Sequence, residues 1–139
     1  MNKNTIGLIG RLGGALLLAV FLAGGCAKMK QEKQEKALRQ RYTQMVTAAC
    51  QGNYTNWVEC LAPESRSSEG KLKLVWGGMR LVQGVAKKNP DDFRIDSVYF
   101  DPAFTNATVN TSHQSSGEWK KDDKPQQWVR IGEVWHLKL

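Results

Sequence analysis

Residues 126–139, QQWVRIGEVWHLKL, decide the fold. Two short runs, Gln126 to Ile131 and Val134 to Leu139, are rich in β-branched and aromatic side chains and flank Gly132-Glu133. Gly at the first position of a two-residue loop suits a type II′ turn, which accepts positive φ there and matches the twist of paired strands. That turn fixes the register. Ile131 faces Val134, Arg130 faces Trp135 and Trp128 faces Leu137. Trp128, Trp135, Leu137 and Leu139 then share one face, assigned to the core. Val129, Ile131, Val134 and His136 take the other.

Upstream the same texture continues. Phe93 to Phe100 (FRIDSVYF) alternates, with Phe93, Ile95 and Tyr99 expected on one face. Thr105 to Thr111 (TNATVNT) alternates again, with Ala107 and Val109 inward, and Asp101-Pro102 lies between as a turn. Ser112 to Lys120 reads as the end of that strand or as a new one, and Lys121 to Pro125 as a polar turn. Before Pro90 the period is helical. Leu38, Tyr42, Met45, Val46, Ala49 and Cys50 mark one face of a helix from about 32 to 50, stopped by Gln51-Gly52. Tyr54, Trp57, Val58 and Leu61 mark a short second helix, which Asn53 or Thr55 can cap. Leu72, Val75, Trp76, Met79, Val82 and Ala86 mark a third, opening near Ser67 or Ser68 and ending at Asn89-Pro90. Gly77, Gly78 and Gly84 inside it imply a bend or a close approach by another element. Three helices followed by three to five antiparallel strands make an α+β domain, with the helices packed on one face of a curved sheet.

The chain is 139 residues long, enough for one domain. Hydrophobic residues make up 41% and five are Trp, which excludes a wholly disordered chain. The first 25 residues differ from the rest. Met1 to Arg11 carry Lys3 and Arg11 and no acid, and Leu12 to Leu22 (LGGALLLAVFL) are apolar. As a helix these eleven residues reach about 16 Å, half of a hydrocarbon core of roughly 30 Å. That length suits a signal peptide over residues 1–25 rather than a permanent span. Residues 26–31 then read as a tether and 32–139 as the folded domain. Ala27 to Arg41 hold six basic and two acidic residues, so this stretch can solvate a stalk or meet anionic head groups.

The segment Leu22-Ala23-Gly24-Gly25-Cys26, with small residues before a cysteine and directly after the apolar run, resembles the lipobox of bacterial lipoproteins. It departs from the family in one place, since Leu stands four rather than three residues before the cysteine. The resemblance implies cleavage before Cys26, a diacylglyceryl thioether on its sulfur and an acyl chain on its new amine. A single acyl chain holds a membrane only marginally, whereas this set anchors stably. Ala27, where the family uses Asp for inner-membrane retention, implies the outer membrane of the bacterial envelope, facing the periplasm. The domain itself resembles the nuclear-transport-factor-2-like (cystatin-like) fold found in many small bacterial lipoproteins. Gly52-Asn53-Tyr54 with the Trp57–Leu61 helix, the Ile95-Asp96-Ser97-Val98 strand leading to Ala107-Thr108-Val109, and the closing 128–137 hairpin carry that resemblance.

Cys50 and Cys60 remain after lipidation. An oxidising periplasm allows them to form a disulfide, and a loop of about eleven residues would add roughly 2.8 kcal/mol by the chain-entropy argument. The two histidines, His113 and His136, do not stand at ligand spacing from a cysteine, so no metal site and no cofactor are expected. None of GxSxG, HExxH, a phosphate loop or a dinucleotide fingerprint occurs. Enzymes of the resembled fold place an acid or base in an apolar cone between helices and sheet. Tyr42, Tyr54, Tyr99, Asp96 and His136 are the candidates here, with Asp96 and His136 expected to point outward. The basic balance lacks the aromatic interleaving of a nucleic-acid reader. The expectation is a lipid-anchored, non-catalytic binding or interaction protein, whose partners are membrane lipid at Cys26 and an envelope component. The oligomeric state stays open, a dimer included. The alternative is a small-ligand binder or an isomerase- or hydrolase-type enzyme using the cone. A cone filled by Trp57, Trp76, Trp128 and Trp135 favours the first, and a cavity with convergent polar groups favours the second.

Overall fold

The computed structural model describes residues 9–139, with side chains from 24 onward. Residues 1–8 of the n-region expected for the leader fall outside the described residues, and the apolar run 12–22 lies within a helix. The chain divides into two compact units between Gln34 and Glu35. The long helix α1 (Ile9–Gln51) takes in Cys26, which is exposed, so the expected tether is helical. Among the described residues no helix is long and apolar enough to cross a membrane.

From Glu35 onward the fold is α+β: helices on one face of a five-stranded, curved antiparallel sheet, consistent with a nuclear-transport-factor-2-like arrangement. After α1 come α2 (Tyr54–Glu59) and α3 (Glu69–Gly77). The Asn53 side chain accepts from Asn56 N at 3.1 Å, so Asn53 rather than Thr55 caps α2, and Ser68 caps α3. The third helix is shorter than its apolar spacing suggests. At Gly78 it passes into a π turn (Gly78–Val82), and Gly84, at φ +70°, follows it. No atom lies within 4 Å of a Cβ built at Gly77 or Gly78, so these glycines mark a change of helix type and not a close approach. The π turn directs Met79 inward and leaves Leu81 and Val82 in solvent.

The strands are β1 (Phe93–Phe100), β2 (Asn106–Ser115), β3 (Glu118–Lys121), β4 (Gln126–Ile131) and β5 (Val134–Lys138). The sheet runs β1-β2-β4-β5, with β3 pairing to the far end of β2. The closing hairpin has the expected register, Ile131 with Val134, Arg130 with Trp135, Trp128 with Leu137. Gly132 has φ +61° and Glu133 a negative φ, as a II′ turn requires. The question left at Ser112 resolves into a hairpin: Ser116 and Gly117 both adopt positive φ, a type I′ turn between β2 and β3.

The core lies where α1 crosses the sheet. Leu38, Tyr42, Met45, Val46 and Ala49 pack with Ala107, Val109, Trp128, Trp135 and Leu137. The Tyr42 and Trp128 rings are 6.5 Å apart, and Phe100 packs on Trp135 at 5.4 Å. Two side chains depart from their expected faces. A β-bulge at Asp96 shifts the β1 register between Ile95 and Ser97. Phe93 and Ile95 therefore face the core before it, Val98 and Phe100 after it, and Tyr99 turns outward. Leu139 lies past the last strand residue and is exposed. On the outer edge of β5, Leu61 forms a bridge with Leu137: Ala62 N donates to Leu137 O at 2.7 Å and Leu137 N to Cys60 O at 2.8 Å.

The expected Cys50–Cys60 disulfide is absent; both are free thiols. At about 100° per residue, Cys50 lies half a turn around α1 from Arg41. Arg41 donates to Glu59 O beside Cys60, while Cys50 sits near Asp92, Arg80 and Lys88. The buried Cys60 thiol instead lies 3.4 Å from Asn56 O. Burial, first of all, pushes both thiols above their ordinary range, which keeps them protonated and unreactive. Alkylation of the purified chain under denaturing, non-reducing conditions should modify both Cys50 and Cys60, read by peptide mass mapping. A linked 50–60 peptide pair would contradict this arrangement.

Candidate functional site

The cone between helices and sheet is not filled. Of the four tryptophans whose packing would fill it, Trp128 and Trp135 lie beneath α1, and Trp76 stacks against Trp57 at 5.1 Å and Tyr54 at 5.5 Å. Trp57 alone borders the opening. What remains is a cavity of about 700 Å³ within the Glu35–Leu139 unit.

Its walls follow from the local sequence. The inward stripe of α1 contributes Tyr42, Met45, Val46 and Ala49; Trp57 comes from α2, Met79 from the π turn and Val85 from the short turn after Gly84. On the sheet side stand Phe93 of β1 and Thr111 and His113 of β2. The alternation that turns Ala107 and Val109 inward continues to both, because successive side chains of a strand point to opposite faces. Lys120 and Lys121 at the end of β3, then Asp122, Asp123 and Lys124, form the rim. The result is an apolar floor under a polar mouth.

One carboxylate organises that mouth. Asp122 accepts from the Thr111 hydroxyl on one oxygen and lies 2.7 Å from His113 Nδ1 on the other. Its own N–H donates to Thr111 O at 3.0 Å. A carboxylate only accepts, so His113 carries a proton on Nδ1 and presents Nε2 to the surroundings. The turn after β3 is thereby bolted to β2 through side chain and backbone together. Lys88 reaches across to donate to Gln114 O at 2.8 Å, with its ammonium over the Phe93 ring. Burial raises the Tyr42 phenol well above its ordinary range, and the negative charges of Asp122 and Asp96 add to this. Tyr42 therefore keeps its proton and acts as a donor at the floor of the cone.

Of the sequence candidates, Tyr42 alone lines the cavity. Tyr54 belongs to the aromatic stack with Trp57 and Trp76. Tyr99 is on the outer face. Asp96 stands outward at the bulge as expected, accepting from Ser112 Oγ and from Arg94 Nε at 3.0 Å. The Ser112 bond, foremost, lowers its carboxyl below the usual range. His136 takes the face opposite the core but is not solvent-facing: it is half-buried, with Nδ1 unpartnered. Burial lowers its pKa, and the guanidinium charges of Arg41 and Arg66 add to the effect. Those two arginines also converge on Glu59 O, at 2.5 and 3.0 Å. Thr111, His113 and Asp122 were not among the sequence candidates. The period-two continuation from Ala107 could have marked Thr111 and His113, whereas nothing local brings Asp122 to them. Among the described residues no group of three His, Cys, Asp or Glu side chains could hold a metal ion.

Comparisons with protein families, with curated proteins and with solved structures found no match.

Thr111 is buried, so removing its acceptor strands a hydroxyl, at about 1–3 kcal/mol. Asp122→Ala should lose stability in that range in chemical denaturation. Asp123→Ala, next to it on the surface, should stay within about 0.5 kcal/mol. Equal effects would mean that Asp122 does not hold the turn.

Proposed function

We propose that this chain is a bacterial lipoprotein, held in the outer membrane through a diacylated Cys26 and facing the periplasm. Its nuclear-transport-factor-2-like domain binds a small ligand in the cone. The observation that carries the reading is the 700 Å³ cavity, apolar at Tyr42, Met45, Val46 and Trp57 and polar at Thr111, His113 and the lysine rim. Its size falls within the 300–1,000 Å³ of typical small-molecule sites, and an apolar wall with a few placed polar groups is their usual make-up. Of the two readings open in the sequence, the cavity favours the ligand binder over a plain interaction surface.

The arrangement fits holding a molecule better than transforming it. In a nucleophilic relay the histidine takes the hydroxyl's proton and the carboxylate orients the histidine. Here Thr111 and His113 both give their hydrogen bonds to Asp122, so the hydroxyl is tied and not activated. The anchor is supported by the sequence: a charged start, a short apolar run, and small residues before Cys26.

Two measurements test the reading. Cells producing the wild-type chain should incorporate labelled palmitate into it, and Cys26→Ser should abolish this. Persistence of label in Cys26→Ser, or an unprocessed wild-type chain that retains residues 1–25, would remove the anchor. Thermal-shift screening of the wild-type lipoprotein against a panel of small amphipathic and aromatic compounds should find stabilising members. A panel without effect would remove the ligand site.

A further inference from the structure

The chemistry of the rim goes further than the existence of a cavity. Four lysines border it, Lys88, Lys120, Lys121 and Lys124, against two carboxylates, Asp122 and Asp123; Lys120 shares the cavity face of its pairing partner His113, and Lys121 the outer face of Ser112. The lysines exceed the carboxylates by two charges. Asp122 spends both oxygens on Thr111 and His113, so neither is offered to the cavity. Lys88 is held on the Gln114 carbonyl, an uncharged partner, and so keeps its full charge at the mouth. Asp123 is left as the one carboxylate without such bonds beside this set of ammonium groups. Charges of one sign over low-dielectric walls focus their field into the opening.

Below the rim the character changes abruptly. Met45, Val46, Trp57 and Val85 offer no charge, and a charged group at that depth would lose its hydration without a partner. An ion can therefore sit only at the mouth, and only an apolar body gains by filling the floor.

We propose that the cone takes an amphipathic anion: an apolar body of acyl or ring type buried against α1, with one carboxylate or phosphate end at Lys120 and Lys124. The proposal rests on the reading of the cone as a ligand site and adds the class of ligand. Tyr42, a protonated phenol among the floor residues, supplies a donor to any acceptor carried further down the body.

Octanoate, octyl phosphate and neutral octanamide make the comparison, titrated calorimetrically into the full lipidated chain in phosphatidylcholine nanodiscs. Uptake by empty discs is subtracted. At low ionic strength at least one of the anions should bind tenfold or more tighter than the amide, and its affinity should fall as salt rises. Which anion is preferred tells a carboxylate source from a phosphate source. Inorganic phosphate alone should give no heat, because it lacks the apolar body. The double substitution Lys120→Gln, Lys124→Gln, on exposed side chains, should bring anion affinity down to that of the amide without changing the amide's own. Binding of all three with equal strength and no response to salt would overturn the anion preference while leaving the cone as a ligand site. Absence of binding by all three would overturn the preference together with the ligand site.

Discussion

The domain depends on α1 lying across the two tryptophans of the closing hairpin. Trp128 and Trp135 are each almost wholly buried, and Leu38, Tyr42 and Val46 come down on the face that they share with Ala107 and Val109. Buried aromatics of this size dominate a small core, since each removes 150–250 Å² or so from water. A curved sheet cannot be covered by a single straight helix, however. α1 seals the half that carries Trp128 and Trp135. The rest is left to α2, the π turn and the segment around Val85, which are short and meet the sheet only in part. The cavity is the space that this division leaves.

The mouth is set by a second, smaller constraint. Asp122 ties the turn after β3 to Thr111 and His113 of β2, and so fixes where the lysines on either side of it can stand. Four positive groups near an opening would repel one another and splay if nothing held their backbone. The bond to a buried hydroxyl resists this, because breaking it strands Thr111. The stability of the sheet and the shape of the mouth are thus linked through one carboxylate. The bulge at Asp96 does comparable work at the other edge: it returns Val98 and Phe100 to the core, and Phe100 then packs on Trp135. Bulges bend and re-aim a strand in this way at sheet edges.

Much of the fold was legible because local rules governed it. Gly132-Glu133 determined a turn, the turn determined a register, and the register placed Trp128, Trp135 and Leu137 inside. Leu38 to Ala49 announced a helix face by spacing alone. The failures all have non-local or subtle causes. A one-residue bulge leaves no mark in FRIDSVYF, yet it inverts every face after it and turns Tyr99 out. The π turn could not be told from an α-helix, since its apolar spacing differs by only one residue. The pairing of Cys50 with Cys60 rested on sequence distance, whereas the helix phase sends the two thiols to different sides of α1. The site was the least legible part. Tyr42 is legible from its helix face, but His113 shows in the sequence only as a histidine without ligand spacing, and Asp122 as one residue of a polar turn. Their meeting depends on β3 folding back along β2.

The central claim is that the cone is empty space open to a ligand rather than packed core. The most direct test enlarges a side chain into it. Ala49 is buried on α1 and lines the cavity, so Ala49→Leu adds three carbons at the floor. The account predicts that this variant melts at or above the wild-type temperature and loses the stabilisation given by cone ligands. Overpacking a filled core costs about 1–3 kcal/mol. A melting temperature lowered by that amount, with ligand response unchanged, would contradict it.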